Sequence, residues 1–110
     1  MNKPILIALT NPVSADADAE FNRWYNEVHA HDILSLPTVH SIARYRAIRQ
    51  IRPHDGAPVH RYAAIYEMDD PARAVEKLIE MRSHFEMSPT LDTGSSVALT
   101  FEPIFSLRND

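Results

Sequence analysis

The spacing of apolar positions along the chain alternates between the period of a strand and the period of a helix. Short runs of apolar, β-branched and aromatic residues predict strands at residues 4–10, 38–51, 59–68 and 97–105. Apolar residues at helical spacing predict one helix that ends at about residue 32 or 34, ahead of Pro37, and another that begins after Asp70-Pro71. The chain is therefore predicted to be an α+β protein with the element order β-α-β-β-α-β.

This order of elements is that of the ferredoxin-like arrangement, in which two helices pack on a four-stranded antiparallel sheet. Two helices cover only one face of such a sheet. The other face would leave Val39, Tyr45 and Ile65 in water unless a second sheet covers it. The sequence therefore predicts a homodimer that pairs through its sheet faces.

The first predicted helix carries the only tryptophan of the chain and several groups that exchange protons. One apolar face, at i, i+3, i+4, i+7 spacing, is formed by Phe21, Trp24, Tyr25 and Val28. At about 100° per residue, Asp32 falls near the middle of that face, beside Tyr25 and His29. Because Tyr25, His29 and Asp32 are i, i+4 and i, i+3 neighbours, we expect them to converge at the core boundary. A phenol, an imidazole and a carboxylate together are candidates for general acid–base chemistry.

Length, charge and composition exclude several classes of function. The 110 residues suit one domain that spans residues 1–110. A net charge of −4 lacks the basic excess that nucleic-acid binding needs, and no apolar run approaches the ~18 residues of a membrane span. The N-terminus shows no signal-peptide pattern, so a cytoplasmic location is predicted.

The same composition limits the available chemistry. The chain has no cysteine, which excludes thiolate nucleophiles and Cys-ligated metals. Its two glycines, Gly56 and Gly94, open no predicted helix, which disfavours nucleotide and flavin sites. No H-x-x-x-H spacing or tight carboxylate–histidine cluster is present, so neither a metal nor another cofactor is expected.

Four motifs that occur in order along the chain point to a known family. They are Phe21-Asn22-x-Trp24-Tyr25-x-x-x-His29, Leu36-Pro37, Ala43-Arg44-Tyr45 and Tyr62-Ala63-Ala64-Ile65-Tyr66-Glu67. In these motifs the chain resembles the EthD-like members of the dimeric α+β barrel superfamily over nearly its whole length. The resemblance implies a ferredoxin-like subunit that pairs into a barrel, with a small-molecule cavity between sheet and helices and cofactor-independent chemistry.

The resemblance also implies roles for single residues. His29 matches the helix histidine of the family, and Asp32 and Arg44 match its acidic position and its second-strand arginine. Trp24 and Tyr25 match its aromatic pair. In two departures from the family pattern, His31 stands where relatives often have proline and Thr38 where glycine is common. His31 would either add a second imidazole to the cavity or alter the end of the helix.

The leading prediction is a cofactor-independent lyase (dehydratase) or isomerase that acts on a cyclic, aromatic or polyketide-like metabolite. The predicted catalytic residues are His29, Asp32 and Tyr25. The residues predicted to bind the substrate are Trp24, His31, His40, Arg44, Tyr62 and Tyr66. The alternatives are a cofactorless monooxygenase of an activated aromatic substrate and a non-catalytic, stress-associated dimer that binds a hydrophobic ligand. A haem-handling role has little support, because no residue stands out as a proximal ligand.

Each candidate also has a structural interpretation. Asp32 would either orient His29 or form an ion pair with Arg44 or Arg46. Arg44 would either anchor a carboxylate or enolate or belong to a structural ion pair. For the aromatic side chains of the helix, Trp24 and Tyr25, the structural interpretation is a place in the core, and it is the favoured one.

Overall fold

The computed structural model describes residues 2–109, in which four strands form one antiparallel sheet. The strands are β1 (Ile5–Thr10), β2 (Val39–Arg46), β3 (Tyr62–Met68) and β4 (Val97–Phe101), and their order in the sheet is β2-β3-β1-β4. Leu6 of β1 lies opposite Tyr66 of β3 and Thr100 of β4. The predicted ferredoxin-like α+β fold is confirmed.

Helical segments connect the strands and pack on one face of the sheet. Between β1 and β2 lie helix α1 (Asp18–Trp24), a π-helical turn (Tyr25–His29) and helix α2 (Ala30–Leu34), and helix α3 (Pro71–Met81) follows β3. Asp70 caps α3 as predicted, because its Oδ1 accepts a hydrogen bond from Arg73 N at 3.1 Å. Among the described residues, no helix combines the length and the apolar character needed to cross a membrane.

The core lies between this helical layer and the sheet. Its largest fully buried side chains are Phe21, Trp24, Tyr25, Tyr66 and Met68. Strand residues two apart point to the same face, so β3 contributes Tyr62, Ala64, Tyr66 and Met68 to this core. The aromatic side chains that the sequence places on one helix face are therefore core residues.

The strands β2, β3 and β4 are shorter than predicted. Beyond β2, the Ala47 N–H donates to Arg61 O at 2.8 Å, and after this bond the chain leaves the sheet with Ile48 96% exposed. The loop that follows is closed by the ion pair of Arg49 and Asp55. At the other end of the sheet, β4 ends before Pro103, which cannot donate to a strand ladder. β4 is an edge strand, as Pro103 predicts.

The sheet face opposite the helices carries apolar side chains in the isolated subunit. One row of residues that are paired directly across neighbouring strands runs through β2, β3, β1 and β4. It consists of Ala43, Ile65, Ile7 and Leu99. Tyr45 is 56% exposed and Leu99 48% exposed. Tyr45, Ile65 and Phe101 line a cavity of about 360 Å³ on this face. The expectation that Tyr45 and Ile65 lie on the uncovered face is confirmed, and we call it the open face.

Val39 does not lie on the open face, contrary to the prediction from strand alternation. A β-bulge between Val39 and Ser41 places Val39 opposite Met68, where it packs against the core. The inserted residue changes which side chains point to which face. The strict alternation assumed from the sequence therefore fails at the first residue of β2.

Thr38 joins α2 to β2 in the left-handed conformation, with φ = 70°. This conformation is unfavourable for a β-branched residue. Two hydrogen bonds compensate: Thr38 Oγ1 donates to Asp70 O and accepts from Asp70 N, both at 3.2 Å. The Asp69 N–H also donates to Thr38 O at 3.0 Å. Thr38 thus ties the start of α3 to the start of β2.

Replacement of Thr38 by valine is expected to lower the free energy of unfolding by about 1–2 kcal/mol. Valine keeps the branched Cβ in the strained conformation but removes both hydroxyl hydrogen bonds. Urea unfolding measures the change. The matched control is Thr38→Ser, which keeps the hydroxyl and is expected to remain near the wild-type value. A Thr38→Val protein as stable as the wild type would show that the two bonds contribute nothing.

Candidate active site

The π-turn between α1 and α2 determines which helix residues face the core. The Ala30 N–H donates to Tyr25 O, an i→i+5 bond that accommodates one extra residue. Each residue after the turn is therefore rotated by about 100° relative to a regular α-helix. Ile33, rather than Asp32, is buried at 6% exposure. The prediction that Asp32 lies in the middle of the apolar face is wrong, because it assumes an unbroken α-helix.

The same turn allows Trp24 and His29 to face each other. Their rings are stacked, with centroids 4.7 Å apart and an interplanar angle of 22°. Tyr25 stands perpendicular to the imidazole of His29, with centroids 5.0 Å apart. Trp24 Nε1 donates to Glu86 O at 2.8 Å, which ties this aromatic group to the segment after α3. The predicted meeting of Tyr25 and His29 is thus present.

Burial sets the protonation state of His29. Desolvation lowers the pKa of its imidazole, and the charge of Arg44 lowers it further, while the Asp32 carboxylate opposes both effects. Nδ1 is buried and has no hydrogen-bond partner. Within residues 2–109, no hydrogen bond joins Asp32 to His29. The expected pairing that would fix the histidine tautomer is therefore not formed, and the imidazole is neutral at pH 7.

Tyr25 extends from the helix to the sheet, where its hydroxyl and that of Tyr66 are 2.8 Å apart. Burial raises the pKa of both phenols. The Tyr66 bond and the Arg44 charge partly oppose the shift in the pKa of Tyr25. Both side chains stay protonated at neutral pH and act as a buried polar pair.

Arg44 of β2 lies against the ring of Tyr25, with Cζ 4.2 Å from the ring centroid. Its Nη1 donates to Asn26 Oδ1 at 2.7 Å and its Nη2 to Asn22 Oδ1 at 3.0 Å, while Nε is buried without a partner. Burial lowers the pKa of the guanidinium, though not enough to remove its charge. Arg44 forms no ion pair with Asp32, since its hydrogen-bond partners are neutral amides. Its positive charge is left uncompensated by these bonds.

Two cavities border Arg44 and Asn26, and we call them together the Arg44 cleft. The larger has a volume of about 550 Å³ and is also lined by Asp18, Asn22, Arg46 and Tyr62. The smaller, of about 270 Å³, is also lined by Ala30, His31, Leu34 and Ile42. The larger volume is within the range of small-molecule sites.

A continuous chain of hydrogen bonds lines the larger cavity. Asn22 accepts from Arg44 through Oδ1 and donates from Nδ2 to the Tyr62 hydroxyl at 3.0 Å and to Asp18 O at 2.9 Å. The Tyr62 hydroxyl donates to Asp18 Oδ1 at 2.5 Å. The three bonds of Asn22 fix the orientation of its amide. A cation, a phenol and a carboxylate are therefore held in one network at the cavity wall.

Apart from Asp32, the predicted site residues fall into three groups. Arg44, Tyr62 and His31 line the cleft. Buried behind it, or partly so, are Trp24, Tyr25, His29 and Tyr66. His40 lies apart from the Arg44 cleft: its Nε2 is 2.6 Å from Asp69 Oδ2 on the exposed surface, and its contact with substrate stays a prediction.

Among the cleft residues that the sequence-based prediction missed are three polar side chains of the first helix, Asp18, Asn22 and Asn26. They occur at i, i+4 and i+8, and such spacing places polar residues in one stripe beside the apolar face. This stripe was the available signal. It is weaker than the apolar pattern because surface helices carry polar stripes in general.

No protein-family model matches the sequence, and no curated protein matches it closely enough to count as a relative. Solved structures with the same fold include a candidate monooxygenase from Shewanella loihica PV-4, with 15% identity, a TM-score of 0.65, and coverage of 96% of this chain and 99% of that one. The heme-degrader MhuD from Mycobacterium tuberculosis, with two hemes bound in its active site, has 14% identity, a TM-score of 0.63, and coverage of 96% and 99%.

A third similar structure is a dimeric ferredoxin-like protein of unknown function from Thermobifida fusca YX. It has 17% identity, a TM-score of 0.53, and coverage of 94% of this chain and 93% of that one. At these identities the comparisons establish the fold. The leading sequence-based prediction, a dehydratase or an isomerase, is contradicted by these solved structures and is wrong. Two of the similar structures have a stated activity, as a candidate monooxygenase and as a heme-degrader, and neither is a dehydratase or an isomerase.

Proposed function

We propose that this protein is a cofactor-independent monooxygenase that binds an activated aromatic small molecule in the Arg44 cleft. The substrate class is a CH acid whose deprotonation gives an enolate or phenolate. The carbanion form reacts with O₂, and a methylene group becomes a carbonyl with release of one water. One O₂ is consumed for each substrate oxidised.

The observation that carries this proposal is the uncompensated guanidinium of Arg44. Its hydrogen bonds end on the neutral amides of Asn22 and Asn26, and it borders both cavities of the cleft. A positive charge in a partly desolvated setting favours a negatively charged oxygen more strongly than one in bulk water. Formation of the enolate places such an oxygen on the substrate. Arg44 would therefore stabilise the form of the substrate that reacts with O₂.

The structure of the helical layer argues against a haem at the predicted histidine. His29 is the residue whose unpartnered Nδ1 marks it as a candidate axial ligand. However, this Nδ1 is buried, which leaves no room for a haem iron beside it, and neither cavity of the Arg44 cleft is lined by His29. The residues around His29 do not fit a tetrapyrrole in this arrangement. The proposed reaction therefore makes no use of haem.

The open face supports a second proposal, that two subunits pair through their sheets. Its exposed side chains include large apolar groups such as Tyr45, Leu99 and Phe101. Contiguous apolar surface of this kind is typical of a protein interface.

Membership of the EthD-like branch is also a proposal, supported by the motif of Trp24, Tyr25 and His29. A cytoplasmic location stays a prediction.

The oxygenase proposal predicts that the protein oxidises dithranol, a hydroxylated anthrone with an acidic methylene group. The expected result is consumption of O₂ in a one-to-one ratio with substrate. The product mass should show two hydrogens replaced by one oxygen. An oxygen electrode and mass spectrometry follow both quantities together, and heat-denatured protein controls for autoxidation. Binding of dithranol without oxidation above that control would contradict the proposal.

A further inference from the structure

The hydroxyl of Tyr62 has an uncommitted lone pair at the larger cavity of the Arg44 cleft. It donates its proton to Asp18 Oδ1 and accepts from Asn22 Nδ2. A hydroxyl has one proton and two lone pairs, so these bonds use the proton and one lone pair. Tyr62 is 5% exposed and lines the cavity, and within residues 2–109 no further hydrogen bond uses its second lone pair.

Asp18 is the carboxylate of the cleft and is connected both to the cavity and to solvent. Its side chain is 31% exposed, and its nearest ion-pair partner, Arg61, is 4.0 Å away. It also lines the larger cavity. At neutral pH a carboxylate is a proton acceptor, whereas the neighbouring arginines are not. Asp18 can therefore accept a proton at the cavity wall and release it to water.

We propose that Asp18, acting through the hydroxyl of Tyr62, is the proton acceptor for the substrate in the Arg44 cleft. The inference rests on the function proposed above. A substrate C–H bond breaks and its proton binds to the Tyr62 oxygen, while the proton of Tyr62 moves to Asp18 Oδ1. The electron pair stays on the substrate as an enolate, whose oxygen is stabilised by Arg44.

This assignment differs from the role that the sequence predicts for His29. His29 lines neither cavity of the cleft; its described ring contacts are with Trp24 and Tyr25 in the core. The short bond between Tyr62 and Asp18, in contrast, lies at the cavity wall. The two assignments predict different effects of substitution and are separated by one experiment.

The experiment measures anaerobic exchange of the methylene protons of dithranol in D₂O by NMR, which reports deprotonation without oxygenation. Wild-type protein is expected to accelerate exchange. Asp18→Asn keeps a hydrogen-bond acceptor for Tyr62 but is expected to slow exchange by about 10²–10⁴-fold. Tyr62→Phe is expected to have an effect of similar size. The matched control is Asp16→Asn, which changes an exposed acid on the same segment and should exchange like the wild type.

Two further variants make the result independent of folding defects. Asp18→Ala lacks the carboxylate of Asp18. If that is its only defect, added formate should restore its proton exchange. His29→Gln should exchange like the wild type. Three outcomes would overturn the inference. Asp18→Asn could exchange the methylene protons as fast as the wild type, His29→Gln could be the one variant that loses exchange, or the wild type could show no exchange.

The same data separate this inference from the oxygenase proposal. Exchange by the wild type without O₂ uptake in air would overturn the oxygenase proposal and leave Asp18 as the proton acceptor. Undiminished O₂ uptake by Asp18→Asn would overturn the role of Asp18 and leave the oxygenase proposal in place.

Discussion

Replacement of Arg44 by methionine is expected to reduce kcat/KM for dithranol oxidation by about 10²–10³-fold. The guanidinium supplies the positive charge next to the developing oxyanion, and methionine fills a similar volume without it. Arg44→Lys is expected to recover little of this loss. A lysine ammonium cannot present the planar fork that contacts Asn22 and Asn26 together. Oxygen uptake and product formation measure both variants.

The control for these variants is Arg73→Met, which removes an exposed cation from α3 and should oxidise dithranol like the wild type. Thermal unfolding of each variant identifies any loss that comes from stability. Wild-type kcat/KM in folded Arg44→Met would exclude Arg44 as the oxyanion partner.

Replacement of Leu99 by glutamate is expected to convert a dimer into a monomer. Leu99 ends an apolar row across the open face and is 48% exposed in the isolated subunit. In a two-fold interface, the substitution buries one carboxylate from each subunit. Burial of an unpaired carboxylate costs several kcal/mol, so self-association should weaken by about 10³-fold or more. Sedimentation velocity over a concentration series measures the change.

The control for the open face is Ile79→Glu on α3, where the original side chain is 56% exposed on the helical side of the molecule. This variant should remain dimeric. A wild-type protein that sediments as a monomer at all concentrations would refute pairing through the open face, whatever the behaviour of Leu99→Glu.

The fold could be predicted because its elements depend on patterns that local sequence contains. Strand-like runs, the Pro37 stop and the cap at Asp70 are each set by residues within a few positions. The order of these elements then leaves few topologies. The ends of β2 and β3 were harder to predict, because apolar residues such as Ile48 and Val59 continue into the loop that joins them.

The candidate site was predicted only in part, since small irregularities decide it. One extra residue in the π-turn rotated Asp32 off the apolar face that carries Tyr25, and one in the β-bulge moved Val39 to the other face. Neither has a reliable sequence signature. Arg44 and Tyr62 were identified through the family resemblance. Their partner Asn22 belongs to one of the motifs, but its hydrogen bonds to Tyr62 and Arg44 depend on the distance from helix α1 to β3 and β2.

The π-turn has a consequence for how this chain aligns with its distant relatives. A relative whose first helix is a regular α-helix has one residue fewer between Tyr25 and Ala30 for the same path of the backbone. A correct alignment must therefore place a one-residue gap inside Tyr25–His29. Without that gap, every position from Ala30 to Leu34 is matched to a neighbour of its true counterpart. Inward residues such as Ile33 are then compared with surface residues, and any role transferred to Asp32 comes from the wrong column.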